Sequence, residues 1–193
     1  MRITLSLALL GGALAIAACA DAPSTAADAA LDPADGAWLA AAGDNGLLGK
    51  ARGATAKYMH ADAALADGYV STVDCVSIPG AAMGVHFVKP ALIMDAVADA
   101  EQPEGLVYEP QKDGSLKLVA VEYIILQGPW QAANQSGVPA LFGQAFDVGV
   151  GPMGPWYTLH AWTWRHNPDG IFAPFNRKAS CPAGAQSSAT HAH

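Results

Sequence analysis

The sequence predicts an α+β domain: one long and one short helix packed against a mainly antiparallel sheet of about five strands that can curl toward a barrel. Three stretches carry this expectation. Gly105 to Leu126 places two apolar runs around Lys112-Asp113-Gly114-Ser115, and Asp-Gly between such runs is the strongest short-range hairpin signal. Leu47 to Asp67 repeats its apolar residues at helical spacing. Trp156 to His166, WYTLHAWTWRH, is a dense segment whose side chains sort onto two faces with the period of a strand.

The chain opens with Met1-Arg2 and an apolar run from Ile3 to Ala18, long enough for the core of an export signal but short of the roughly 20 residues a membrane span needs. The run ends in Ile16-Ala17-Ala18-Cys19. This resembles the bacterial lipoprotein signal, with Ile16 where that motif more often has Leu. The resemblance covers about the first twenty residues. It implies a signal peptide over residues 1–18, a lipid on Cys19 and an anchored position on the bacterial envelope, facing the periplasm or the outside. The alternative is an ordinary secretory signal cleaved near Ala18 or Ala20.

Removing residues 1–18 leaves 175 residues, enough for one domain with a core, carrying 9 basic against 17 acidic side chains, a net charge of −8. Such a balance argues against a nucleic-acid partner or an anionic-membrane surface, so the membrane contact expected is the lipid itself. Residues 19–46 are rich in Ala, Asp, Pro and Gly and read as a tether, with Trp38 able to dock on the domain.

The single domain is expected over residues 47–182. Leu48, Ala51, Thr55, Tyr58, Met59, Leu65 and Ala66 share one side of a helix from about 47 to 67, with Asp44 or Asn45 as cap and Gly68 as stop. Asp62 lies on that side and could face a polar site, whereas Lys57 and His60 point to solvent. Met83 to Val88 reads as a short strand with His86 in its middle, and Pro90 to Ala100 as the second helix, with proline in its first turn. In the hairpin, a turn at Asp113-Gly114 sets Glu109 opposite Leu118, Val107 opposite Ala120 and Gly105 opposite Glu122, so Glu109 and Glu122 share a face. Residues 127–141 read as a long loop of lid or rim type, 142–148 as a strand and 149–155 as a turn. Period two then puts His160, Trp162, Trp164 and His166 on one side of the last strand. Asn167 to Gly170 turns the chain, and residues 183–193 form a tail expected to lack order.

Cys75 and Cys181 remain once Cys19 is lipidated, and two cysteines in an oxidising compartment form a disulfide most simply. Closing a loop of about 107 residues contributes on the order of 4 to 5 kcal/mol in the chain-entropy picture. Thiolate metal ligation is the alternative, but no close Cys-x-x-Cys spacing supports it. No internal repeat, phosphate loop, dinucleotide fingerprint, Gly-x-Ser-x-Gly elbow or His-Glu-x-x-His helix occurs.

What remains is a polar constellation inside apolar strands. Glu122 lies within Leu118 to Leu126, where every neighbour except Tyr123 is apolar, and a carboxylate there must be paired, hydrogen-bonded, protonated or bound to a cation. His86, Glu122 and His160 are the candidate ligands of a divalent Zn, Mn, Fe or Cu ion, since two imidazoles and one carboxylate leave positions open for water or substrate. Glu109 is an alternative, but it lies about 13 Å from Glu122 along the ladder, and His166 about 20 Å from His160, so each is a second choice beside its partner. The chain lacks the His-x-His pair of cupin barrels. Two other readings stand. The polar groups could satisfy one another as a quiet core, in which case the chain is a structural envelope protein. Tyr123, Trp156, Trp162 and Trp164 could instead line a metal-free pocket for a small molecule. The order of a strand histidine, LVYE, VEY, LHAW and a C-terminal cysteine is similar to uncharacterised exported bacterial proteins, a resemblance that implies export and no named activity.

Overall fold

The computed structural model describes residues 46–72 and 74–182. The signal run, Cys19, the tether with Trp38, Asp44, Asn45 and the tail lie outside the described residues. The fold is α+β with a mainly antiparallel sheet that does not close, and its helices number four among the described residues. Helix α1 spans Leu47–Thr55, α2 Ala61–Ala66, α3 Pro90–Ile93 and α4 Gln127–Ala132. The strands are β1 (Val70–Ser71), β2 (Val76–Ile78), β3 (Ala81–Val88), β4 (Gly105–Pro110), β5 (Leu116–Leu126), β6 (Ala140–Leu141), β7 (Gln144–Ala145), β8 (Asp147–Gly151) and β9 (Gly154–Ala161). Their order across the main sheet is β1-β3-β4-β5-β9-β8, with β2 also pairing β3, and β6-β7 form a separate ribbon.

The expected long helix is two helices. Thr55 turns its hydroxyl back to the carbonyls of Ala51 and Arg52, a bond that competes with helix continuation. A 3₁₀ turn over Ala56–Tyr58 follows, and extended backbone at His60 restarts the chain as α2. Gly68 ends this segment with φ +88°, the left-handed stop that glycine supplies. The second expected helix is likewise shorter than residues 90–100. After Ile93, the Asp95 and Asp99 carboxylates accept the N–H groups of Val97 and Glu101, closing side-chain turns where helix was expected.

The hairpin register agrees with expectation at Gly105–Glu122 and Val107–Ala120, then shifts. A bulge at Val119 sets Tyr108 opposite Leu118 and Glu109 opposite Lys117. The freed Val119 carbonyl accepts the Trp164 N–H. Beyond the hairpin, residues 127–141 hold α4 and part of the β6-β7 ribbon instead of an unbroken loop, and the expected turn over 149–155 is the tip of a β8–β9 hairpin.

The sheet separates two cores. On one face Phe87, Leu106, Tyr108, Val121, Tyr123, Leu159 and Ala161 pack with Leu48, Ala51, Tyr58 and Ala64 of the helical segment. On the other, Ala82, Val107, Val119, Ala120 and Trp162 pack beneath Ala179 of the C-terminal strap. Cys75 and Cys181 form the expected disulfide, their Cα atoms 5.6 Å apart. Asn176 and Ala82 exchange backbone hydrogen bonds, and Glu109 accepts from the Ser180 N–H and from the Arg165 guanidinium.

Candidate metal centre

Directly opposed residues share a sheet face, so register alone decides which side chains meet. One row across the sheet reads Val88, Gly105, Glu122, His160 and the next reads His86, Val107, Ala120. His86, Glu122 and His160 thus come from three strands onto one face, with Gly105 and Val107 of β4 between the histidine of β3 and the carboxylate of β5. Gly105 is what lets the carboxylate cross. A Cβ at that position would lie 3.0 Å from the Glu122 Cβ and 3.4 Å from Oε2. It is Oε2 that faces His86 Nε2, at 3.5 Å, while Oε1 faces His160 Nε2 at 3.6 Å. The two imidazole planes stand at 85° to one another.

All three residues are buried, with exposures of 8, 5 and 3 % for His86, Glu122 and His160. One ligand atom from each lies within 4.8 Å of the others, and among the described residues this is the one group of three or more His, Cys, Asp or Glu with that property. Ligand atoms about 2.1 Å from a tetrahedral ion are separated by about 3.4 Å, close to the observed oxygen to nitrogen spacings. Burial alone pushes the Glu122 carboxyl up to about 8. A cation held between it and two neutral imidazoles would do the opposite, keeping the carboxylate ionised and offsetting the cost of its burial.

Glu104 is a site neighbour that sequence reasoning did not single out. It is buried to 1 % exposure, and its carboxylate accepts the Ile124 N–H at 3.0 Å. The cause is a mismatch in strand length: β4 begins at Gly105, so the ladder partner of β5 is exhausted before Ile124, and the side chain of Glu104 replaces it. Burial raises its pKa to about 8, with Asp95 and Glu122 adding smaller upward contributions. An eleven-residue strand facing a six-residue one was the available signal.

The remaining candidates lie elsewhere. Glu109 is tied to Arg165 after β9 and to Ser180 of the C-terminal strap. Asp62 is exposed in the first turn of α2, whose Ala64 packs in the core on the opposite face of the sheet. His166 is exposed, its Nδ1 3.5 Å from Lys178 Nζ, and β9 ends before it. The four aromatics occupy separate surroundings. Tyr123 lies in the helix-side core and donates to the Ala100 carbonyl; Trp162 is fully buried under the strap and donates to the Ala173 carbonyl. Trp164 stacks under the Arg52 guanidinium at 4.3 Å and donates to Thr55, while Trp156 lies across Gly149 and Gly151 of β8. The expected alternation from His160 to His166 stops at Ala161. There the chain bends, with Thr163 N–H donating to the Ala161 carbonyl and Trp162 N–H to that of Ile171.

Comparison with protein-family models, with curated proteins and with solved structures finds no match to this chain.

Proposed function

We propose that this chain is an exported, lipid-anchored envelope protein that holds one divalent transition metal, Zn, Mn, Fe or Cu, between His86, Glu122 and His160. The observation that carries this reading is the convergence of two imidazoles and one carboxylate, buried and within 4.8 Å of one another, on one face of the sheet. Three protein donors leave a fourth position for water or a small ligand, which serves a metalloenzyme and a metal carrier alike. Placement on three paired strands fixes the donors in advance of the ion.

A second reading is favoured by the spacings of 3.5 and 3.6 Å, which also suit a carboxylate ion-paired with two histidines and no metal. Elemental analysis of protein purified without a histidine tag, together with Glu122→Gln, separates the two. In the metal reading the wild type retains a stoichiometric ion, and Glu122→Gln loses it along with the ligand-linked stabilisation, about 2.7 kcal/mol at a hundredfold excess over the dissociation constant, that raises the melting temperature. Without metal neither protein holds an ion: a Glu122 ion-paired with the histidines makes the substitution cost about 3 kcal/mol or more, whereas a Glu122 kept protonated by its burial makes it nearly neutral. Wild-type protein that retains no ion after dialysis against Zn, Mn, Fe and Cu would overturn the proposal, as would a Glu122→Gln variant of unchanged affinity.

A further inference from the structure

The sheet ends on β8, and that edge has an unusual composition. Val148 and Val150 are 55 and 70 % exposed, with exposed Met153 at the hairpin tip. Protein edges are ordinarily blunted by lysine, by an internal proline or by a bulge, and Asp147-Val148-Gly149-Val150-Gly151 has none of these.

The direction of its backbone groups follows from the hairpin. Pro152-Met153 is a two-residue loop, so the flanking pair Gly151–Gly154 is hydrogen-bonded, and alternation makes Gly149–Trp156 and Asp147–Thr158 bonded as well. Val150–Pro155 and Val148–Tyr157 are then the unbonded pairs, in agreement with proline having no N–H to give. The N–H and C=O of Val148 and Val150 therefore point out of the sheet.

We infer that this edge pairs with the same edge of a second copy, antiparallel about a two-fold axis through Gly149. In that register Val148 lies opposite Val150 of the second copy, outward groups meet outward groups, and four backbone hydrogen bonds form. Neighbouring registers are poorer. Centring on Val148 would require the Phe146 N–H, already donated to Pro139, and centring on Val150 would face Val148 with Pro152, which has no N–H. The valines make cross-strand apolar pairs on one face. On the other, Gly149 and Gly151 are already covered by Trp156 of the same chain. The one charge of the strand is also compatible: Asp147 faces Gly151 of the second copy, and the two carboxylates stand about 13 Å apart along the strands, beyond the ~8 to 10 Å range of screened repulsion. Such an interface has the small area of a weak, concentration-dependent contact and is isologous, so it closes at two copies.

The test is the mass of the full-length chain, purified in a mild non-ionic detergent, by sedimentation across a concentration series. Wild type should pass from one to two chains. Val148→Pro removes an outward N–H, and with it two of the four bonds, without removing any bond of its own sheet; Val150→Lys places a cation on each side of the contact. Both should remain single chains with an unchanged circular dichroism spectrum. Should the proline variant fail to fold, Val150→Lys alone decides. A wild type that stays monomeric at every soluble concentration, or a folded Val150→Lys that dimerises like wild type, would overturn the inference. So would a monomeric Cys19→Ser chain, which has no lipid, that instead floats with phosphatidylglycerol vesicles while its Val150→Lys variant does not, since the edge would then be covered by a bilayer.

Discussion

Gly105 and Glu104 are adjacent in the chain at the start of β4 and do different things. Gly105 leaves the gap through which Glu122 reaches His86, whereas Glu104 brings a second buried carboxylate to the same end of the sheet. Both carboxyls are held up to about 8 by burial. Each therefore keeps its proton in the folded chain after an unfolded chain, titrating at the ordinary 4.5, has lost it. From pH about 4.5 to about 8 the unfolded state binds fewer protons, so metal-free stability falls as pH rises through that window. Glu104→Gln retains an acceptor for the Ile124 N–H and should remove about half of the fall. Thermal denaturation in the presence of a chelator measures it, and an unchanged slope would show Glu104 already ionised in the fold. Of the two carboxylates, only Glu122 was legible in the sequence, because a charge inside Leu118 to Leu126 has no local explanation. Glu104 sits in an ordinary polar connection, and its burial follows from where β4 starts.

At the scale of elements, local side-chain bonding overrode periodicity. Thr55, Asp95 and Asp99 each offered the backbone a hydrogen bond that ended a helix the apolar spacing alone would have extended. The Val119 bulge shifted the outer half of the hairpin register, and the carboxylate of Glu109 went to the strap instead of a site. That strap is the element the disulfide secures. It runs over residues 171–181 across the small core beside the candidate centre, and the Cys75–Cys181 bond closes a separation of 106 residues. Replacing both cysteines with serine should lower stability by about 4 to 5 kcal/mol in the chain-entropy picture. Denaturant unfolding reads the difference, and alkylation of native wild-type protein should find neither thiol free.

For the molecule as a whole, no helix among the described residues is long and apolar enough to cross a membrane. The attachment we propose is the lipid on Cys19. Cys19→Ser should leave the protein exported, lighter by the acyl mass and partitioning into the aqueous phase of a detergent extraction. Unchanged mass and partitioning would remove the anchor from the proposal. The sheet sets the arrangement of everything else: a thick helix-backed core on one face, and on the other a thinner core under the strap, which borders the His86, Glu122 and His160 group.

The sequence by itself determined the fold class, the inner half of the hairpin register and the identity of the carboxylate that could not be left unpartnered, because period, turn chemistry and the cost of burying charge are local quantities. It also pointed to the Cys75–Cys181 pair, which the disulfide joins. The tertiary structure alone decided that β3 and β9 flank the hairpin on its two sides, which is what turns His86 and His160 toward the same carboxylate. It likewise dispersed the four aromatics and sent Glu109 to the strap. The reason is that strand order, a one-residue bulge and the bend after Ala161 depend on contacts between residues far apart in the chain, and no window of sequence contains them.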